Sequence, residues 1–271
     1  MNVKRFLVKP GSKVSLDDFD SAATPGFKDK QDAADDLARN LAKLAALQET
    51  LYAQGSQSLL VVLQGMDTAG KDGAIEHVMG AFNPQGVQIT AFKVPTSEEL
   101  AHDYLWRIHK AAPPRGMVGI FNRSHYEDVL VVRVAKLAPK KVWSKRFDHI
   151  NDFEKILSDN GVRVVKLFLH ISPEEQAERL IERRDTPEKQ WKFNPGDLKA
   201  RTQWSQYQRA YEDVLGRCST PWAPWFVVPS NRKWFRNLVV SQVLVDALEG
   251  MDLQFPPAVE NLSSFEIPPA G

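Results

Sequence analysis

Short runs of apolar residues alternate with longer amphipathic segments through most of this chain. The apolar runs predict five strands, at 58–64, 87–93, 117–121, 162–171 and 226–228. Apolar residues at helical spacing predict helices at 32–53, from about 71, and at 97–112, 141–159, 173–184 and 232–248. Continuously apolar strands separated by helices are typical of a parallel sheet covered on both faces. The pattern therefore predicts an α/β fold built on a parallel five-stranded sheet flanked by helices.

The two ends of the chain depart from this alternation. Residues up to about 30 are polar and broken by prolines and glycines, which predicts an irregular arm that makes up, with the first helix, residues 1–55. Residues 250–271 hold four prolines and three acids but neither Lys nor Arg, which predicts an extended tail. No break in composition divides the chain, so 1–271 is interpreted as one domain. The arm and the tail suggest a homo-oligomer, a dimer or a tetramer.

Composition narrows the class of protein. The 35 Lys and Arg nearly balance the 34 Asp and Glu, and a net charge of +1 argues against binding nucleic acid through bulk charge. The single cysteine, Cys218, excludes internal disulfides and Cys-rich metal sites. The longest aliphatic run, at 59–63, is far shorter than the roughly 20 residues that span a bilayer. We therefore expect a soluble, cytoplasmic protein that binds neither nucleic acid nor membrane.

The segment after the first strand matches the phosphate-binding pattern G-x-x-x-x-G-K and opens a predicted helix. Its two glycines permit backbone conformations that turn successive N–H groups toward an anion. Lys71 adds a mobile positive charge for the outer phosphates, and we expect its side chain to face solvent. The alternative is a glycine turn with a surface lysine, which the strand before and the helix after disfavour. The candidate phosphate-binding residues are Gly65, Met66, Thr68, Ala69, Gly70 and Asp72.

One position of this loop departs from the usual motif. The Ser or Thr that ordinarily follows the lysine and ligates Mg²⁺ is replaced by Asp72. Asp67, inside the loop, is then the nearest candidate for an oxygen ligand. It could hold Mg²⁺ between phosphates or orient the attacking phosphate oxygen, unless it is only an exposed turn residue.

A second candidate cluster follows the third strand. P-loop proteins normally have an acid there that completes the magnesium site, but this chain has the neutral Asn122. The planar guanidinium of Arg123 suits a bidentate contact with phosphate. Glu127 and Asp128 could hold a second ion or a water, or could simply be acids favoured at a helix start. His125 is expected to be a packing residue.

Residues 178–201 form a charged segment around a turn with two prolines. Small P-loop kinases close such a helical lid over the phosphates, which excludes water and prevents hydrolysis; a solvated pair of charged helices is the alternative. The cations expected to face the phosphates are Arg179, Arg183 and Arg184, with Lys93 and Arg107 extending the positive groove. The aromatic residues predicted to pack in the core are Trp191, Trp204, Tyr207 and Tyr211.

Several segments together resemble the polyphosphate kinase 2 family over about residues 30–248. The resemblance rests on residues 65–73, 92–96, 102–107, 122–128 and 204–211. It is closer to the branch that phosphorylates nucleoside monophosphates as well as diphosphates. The resemblance implies a P-loop kinase fold similar to thymidylate kinase, with a helical lid. It also implies Mg²⁺ as cofactor, for which Mn²⁺ could substitute, and inorganic polyphosphate as phosphoryl donor.

The same resemblance implies roles for single residues. Asp67 and Lys71 would bind the metal ion and the phosphates, and Arg123 would contact a phosphate. Other branches have Asp at position 122 and a neutral residue at 127, so Glu127 and Asp128 are the natural substitutes for the missing acid. The predicted metal ligands are Asp67 and Glu127.

The expected activity is reversible transfer of the terminal phosphoryl group of polyphosphate to AMP and ADP, the latter giving ATP. Two alternatives stay open at this point. One is an ATP-dependent nucleoside monophosphate kinase of the same fold. The other is a non-catalytic P-loop module that binds nucleotide or polyphosphate.

Overall fold

The computed structural model describes residues 1–270, and its centre is a five-stranded sheet. The strands are β1 (Ser58–Gln64), β2 (Val87–Ala91), β3 (Val118–Asn122), β4 (Val162–His170) and β5 (Trp225–Pro229). All neighbouring pairs are parallel, in the order β2–β3–β1–β4–β5. The five predicted strands are thus confirmed, with ends that differ by at most two residues.

Helices cover both faces of this sheet. They are α1 (Ala34–Gln54), α2 (Lys71–His77), α3 (Ser97–Leu100), α4 (Trp106–Lys110), α5 (Val131–Val134), α6 (Lys140–Trp143), α7 (Arg146–Asp159), α8 (Pro173–Asp185), α9 (Pro195–Thr202), α10 (Trp204–Cys218) and α11 (Lys233–Glu249). Within residues 1–270, no helix is both long enough and apolar enough to cross a membrane.

The central strand β1 shows why both faces need cover. All seven of its residues are buried, and alternate side chains point to opposite sides of the sheet. Leu59 and Val61 join the cluster that contains residues of α1 and α11. Leu60 and Val62 join the opposite cluster, with residues of α7 and α10. A strand with two apolar faces is stable only between two layers of helices.

The helix predicted at 97–112 is interrupted, and that prediction is wrong in its middle. Thr96 and Glu99 form a capping box that fixes the start of α3. The side chain of Asp103 then accepts a hydrogen bond from the N–H of Leu105 at 2.9 Å. Such local side-chain bonds compete with helical bonding, so a new helix, α4, begins at Trp106.

The N-terminal arm packs along the outer strand. Val3, Phe6 and Val8 are buried, and the N–H of Val8 donates to the carbonyl of Trp225 at 2.9 Å. The arm therefore covers the edge of β5, which would otherwise present unpaired backbone groups. At the other end of the chain, residues 254–270 are exposed and include one short 3₁₀ turn, Leu262–Ser264.

Candidate active site

The loop between β1 and α2 lies at the carboxyl edge of the sheet. Gly65 has φ +156°, and a Cβ there would lie 2.7 Å from the carbonyl oxygen of Leu169. Gly70 has φ +102°, in the region that favours glycine. In the part of the chain that the structure describes, the backbone N–H groups of Gly70, Lys71 and Asp72 have no hydrogen-bond acceptor. The loop thus offers free donors where the sequence predicts an anion site.

Lys71 is held inside this loop. Its side chain is only 8% exposed, and Nζ donates to the carbonyl oxygens of Gly65 at 2.8 Å and Met66 at 3.3 Å. Burial, with a contribution from the nearby cation Arg123, lowers the pKa of Lys71 to about 8. The expectation that Lys71 faces solvent is wrong, because the carbonyl groups of its own loop hold the ammonium group.

Arg123 lies between two carboxylates from different loops. Its Nη2 donates to Asp67 Oδ1 at 2.5 Å, and its Nη1 is 3.8 Å from Glu127 Oε2. Its φ of +62° is uncommon for a residue other than glycine, and its N–H donates to the carbonyl of Leu63 in β1. The structure therefore brings together three predicted catalytic residues, Asp67, Arg123 and Glu127, beside Lys71.

The chemistry of these donors fits a magnesium ion that arrives with phosphate. Among residues 1–270 no group of three or more metal-ligating side chains is assembled. Asp67 and Glu127 instead offer two hard oxygen ligands whose side chains are 16% and 14% exposed. Mg²⁺ is usually bound in this way, through one or two carboxylates with water and substrate phosphates completing the shell.

Asn122 and Asp72, the two departures from the usual P-loop pattern, contact each other. Nδ2 of Asn122 donates to Oδ1 of Asp72 at 2.7 Å. An Asp at position 122 would place two carboxylates in contact, so the neutral amide is the side chain that fits beside Asp72. Sequence reasoning identified both positions separately but not their contact, since they lie 50 residues apart.

Asp128 is placed differently from Glu127. Its Oδ1 accepts a hydrogen bond from Arg146 Nη1 on α7 at 2.8 Å, and the backbone carbonyl of Asp128 accepts from the same nitrogen. Burial raises the pKa of Asp128 to about 6, against the opposing effect of Arg146. Asp128 thus joins its segment to α7, and among the described residues no ion pair connects it to Arg123.

The two cations predicted to extend the groove differ in exposure. Lys93 is exposed just beyond β2, whereas Arg107 is buried and donates to the carbonyl of Lys93 at 2.9 Å. Arg107 also lies 3.6 Å from Glu99 and over the ring of Phe92. Arg107 therefore holds the segment after β2 in place.

The three arginines of the predicted lid have different environments. Arg179 is buried and donates to the carbonyl oxygens of Thr68 and Ser230. It therefore holds the backbone of the phosphate loop in place. Arg183 lies 3.3 Å from Asp197 at the start of α9. Arg184 is exposed and pairs with its neighbour Asp185. Of these three arginines, Arg183 is the one that joins α8 to α9.

The aromatic residues of this region are only partly placed as predicted. Tyr211 is buried, and Trp204 and Tyr207 pack against the core. Trp191 is 78% exposed, so the prediction that it packs in the core is wrong. It lies in the 3₁₀ turn Pro187–Lys192, where no neighbouring layer covers it.

His125 belongs to a fully buried polar network, as its predicted packing role requires. Its Nε2 lies 3.1 Å from Glu154 Oε1, which also accepts from the Tyr126 hydroxyl. Lys166 Nζ donates to Glu154 Oε2, to Tyr126 and to the carbonyl of Cys218. Burial lowers the pKa of His125, so the ring is neutral. The network anchors the segment that carries Arg123 and Glu127.

Sequence reasoning missed three residues beside the loop. Gln176 Nε2 donates to the carbonyl of Asp67, and Asp197 is a buried acid whose pKa burial and Asp67 raise to about 6. Arg236 packs against Gly70 and Gly73 from α11. These residues lie on helices that carry no recognisable motif. Of the three, only Asp197 has a signal in the sequence, which is a small polar residue at the start of its helix.

A parallel sheet with this strand order, and a glycine loop leading from its central strand into a helix, define a P-loop kinase fold. The family model Polyphosphate kinase 2 (PPK2) matches residues 27–256. The chain therefore belongs to the polyphosphate kinase 2 family, which confirms the resemblance and the predicted fold.

Individual relatives agree with this assignment. The chain is 51% identical to the AMP/ADP-polyphosphate phosphotransferase of Meiothermus ruber, over 94% of this chain and 96% of that protein. It is 40% identical to the ADP-polyphosphate phosphotransferase of Rhodopseudomonas palustris, over 94% and 93%. The crystal structure of Polyphosphate Kinase 2 from Arthrobacter aurescens TC1 superposes with a TM-score of 0.89, at 48% identity, covering 96% of this chain and 92% of that one.

Proposed function

We propose that this chain transfers the terminal phosphoryl group of inorganic polyphosphate to AMP and to ADP, reversibly and with Mg²⁺. The observation that carries the proposal is the cluster of Asp67, Arg123 and Glu127 beside Lys71, at the mouth of a loop with free N–H donors. The names of the relatives support polyphosphate as donor and AMP and ADP as acceptors.

The reaction needs positioning and charge neutralisation more than proton chemistry. An oxygen of the acceptor's terminal phosphate attacks the terminal phosphorus of polyphosphate, and the bond to the bridging oxygen breaks. The nucleotide gains one phosphoryl group, and the donor leaves one unit shorter. Because the attacking phosphate oxygen is already anionic, no general base is required.

Two cations of this chain would stabilise the charge that shifts during transfer. Lys71 would turn from the loop carbonyls to the phosphates, and Arg123 is held at the site by Asp67 and Glu127. Preorganised charges of this kind stabilise a transition state without reorganisation. Mg²⁺, when bound, would be held by Asp67 and Glu127 and would neutralise phosphate charge.

Residues 178–201 are proposed to close over the donor as a lid. The segment contains Arg183 and Arg184, whose side chains are 21% and 62% exposed, so both are within reach of an anion that enters from solvent. Closure would exclude water and so favour transfer over hydrolysis. We also propose that the protein works in the cytoplasm and that it forms a homo-oligomer. Light scattering on the purified chain is the direct test of the oligomeric state.

The decisive experiment supplies AMP, polyphosphate and Mg²⁺ without ATP, and follows ADP and ATP by chromatography. We expect both products in sequence. An ATP-dependent nucleoside monophosphate kinase would form ADP only when ATP is added, and a non-catalytic module would form neither. Asp67→Asn serves as the active-site variant, and Asp35→Asn, in the exposed first turn of α1, serves as the matched control. Activity of the first variant equal to that of the second, at any Mg²⁺ concentration, would refute the role of Asp67.

A further inference from the structure

Arg236 is a buried cation beneath the phosphate loop. It lies on α11, is 2% exposed, and is flanked by the fully buried Phe235 and Leu238. Its guanidinium occupies the space beside two loop glycines: a Cβ at Gly70 would overlap Nη1, and a Cβ at Gly73 would lie 3.1 Å from Nη2. The glycines are therefore needed as much for the arginine behind the loop as for an anion in front of it.

This cation has no counter-charge within the described chain. Its hydrogen bonds go only to the neutral side chain of Asn237, at 2.7 Å and 3.1 Å to Oδ1. Across residues 1–270 no ion pair joins it to a carboxylate, and no acid is among the groups that shift its pKa. The neighbouring charge is a second cation, Arg179, whose own partner is Glu175. Burial, and then Arg179, lower the pKa of Arg236 to about 10.

A comparison with Lys166 shows how unusual a buried cation without a counter-charge is in this protein. Lys166 is also fully buried, but it contacts the carboxylate of Glu154 and two further oxygens. A buried charge without a partner destabilises a folded protein, and buried cations are ordinarily paired. Arg236 lies against Gly70, whose N–H is one of the free donors of the loop, so a phosphate held by those donors would lie close to this cation. In that low-dielectric surrounding the two charges would attract strongly.

We propose that Arg236 is a positioning residue whose counter-charge is the polyphosphate or nucleotide phosphate held by the loop. It acts through the loop backbone, raising the affinity for phosphate chains, while it lowers the stability of the protein when no phosphate is bound. The inference rests on one part of the proposed function, which is that the loop binds phosphates.

The test separates charge from packing by using two variants. Arg236→Gln removes the charge and keeps an amide donor for Asn237, whereas Arg236→Lys keeps the charge. Inorganic tripolyphosphate with Mg²⁺ is the probe, titrated by calorimetry into the full chain, and urea unfolding without ligand measures stability. For Arg236→Gln we expect binding at least tenfold weaker, about 1.4 kcal/mol, with ligand-free stability equal to or above that of the wild type. Arg236→Lys should bind within about threefold of the wild type.

Arg115→Gln is the matched control, because Arg115 is an exposed arginine just before β3 and, within residues 1–270, its side chain makes no hydrogen bond or ion pair. It should change neither measurement. Arg236→Gln that binds like the wild type would overturn the inference and leave the proposed function intact. Arg236→Gln that loses ligand-free stability, or fails to fold, would also overturn it, because Arg236 would then stabilise the fold itself. A wild-type chain that binds no tripolyphosphate would overturn both proposals.

Discussion

Removing the charge of Lys166 should destabilise the protein in a way that depends on pH. The change is made in the His125→Gln background, because His125 lies 3.1 Å from Glu154 and would otherwise take up the proton. In Lys166→Met the carboxyl group of Glu154 stays fully buried but loses the ammonium group that contacts it. In the wild type this neighbour lowers the pKa of Glu154, against the effect of burial, so the carboxylate is stable inside the core. Without it, the buried group avoids an uncompensated charge by taking up a proton.

That proton uptake sets the size of the effect. A glutamate has an ordinary pKa of 4.5, so protonating it at pH 7 costs about 3.4 kcal/mol at 1.36 kcal/mol per pH unit. The lost hydrogen bonds to Tyr126 and to the carbonyl of Cys218 add to this. We therefore expect a loss of about 3–5 kcal/mol at pH 7, the range found when one partner of a buried pair is removed.

The sign of the pH dependence follows from proton linkage. In Lys166→Met the folded state holds a proton on Glu154 that the unfolded state releases above pH 4.5, so its stability falls as pH rises. The difference between His125→Gln and the variant that also carries Lys166→Met should shrink by about 2.7 kcal/mol between pH 7 and pH 5. Urea unfolding at both pH values measures it.

The double variant Lys166→Met, Glu154→Gln is the control for this reasoning. It has no carboxyl group at position 154, so the dependence of its destabilisation on pH should disappear. A loss in Lys166→Met that is the same at pH 5 and pH 7 would refute the argument, since it would show that lost packing, and not a buried charge, explains the effect.

Four further outcomes are expected. Lys71→Ala should lower turnover by two to three orders of magnitude, about 3–4 kcal/mol, with an unchanged circular dichroism spectrum. Glu127→Gln should lower kcat/KM at least about tenfold more for AMP than for ADP, about 1.4 kcal/mol, because the shorter acceptor depends more on a bridging ion or water; equal losses would make Glu127 a scaffold residue. Asn122→Asp should cost about 1 kcal/mol of stability in EDTA, from repulsion with Asp72, and regain it when Mg²⁺ is added. Stability should fall as pH drops below 6.5, because His125 is buried neutral and its folded pKa is lowered, and this part of the loss should be absent in His125→Gln.

The sequence alone determined the features that arise from neighbouring residues. Five apolar runs gave the strands, because a strand between two helical layers must be apolar on both faces. The glycine loop was recognisable because its conformation and its free donors depend on a few consecutive residues. The family resemblance placed Arg123 and Glu127 in the site for the same reason, since they lie in one short segment after β3.

Tertiary structure alone decided which distant side chains meet. The Asn122–Asp72 contact depends on the pairing of β1 with β3, and Arg236 reaches the loop only because α11 packs beneath it. No local pattern encodes such contacts, since they connect residues far apart in the chain. The same holds for the burial of Lys71, which a motif treats as a free cation. Burial and charge pairing depend on the whole fold, and therefore the electrostatics of this site could not be predicted from the sequence.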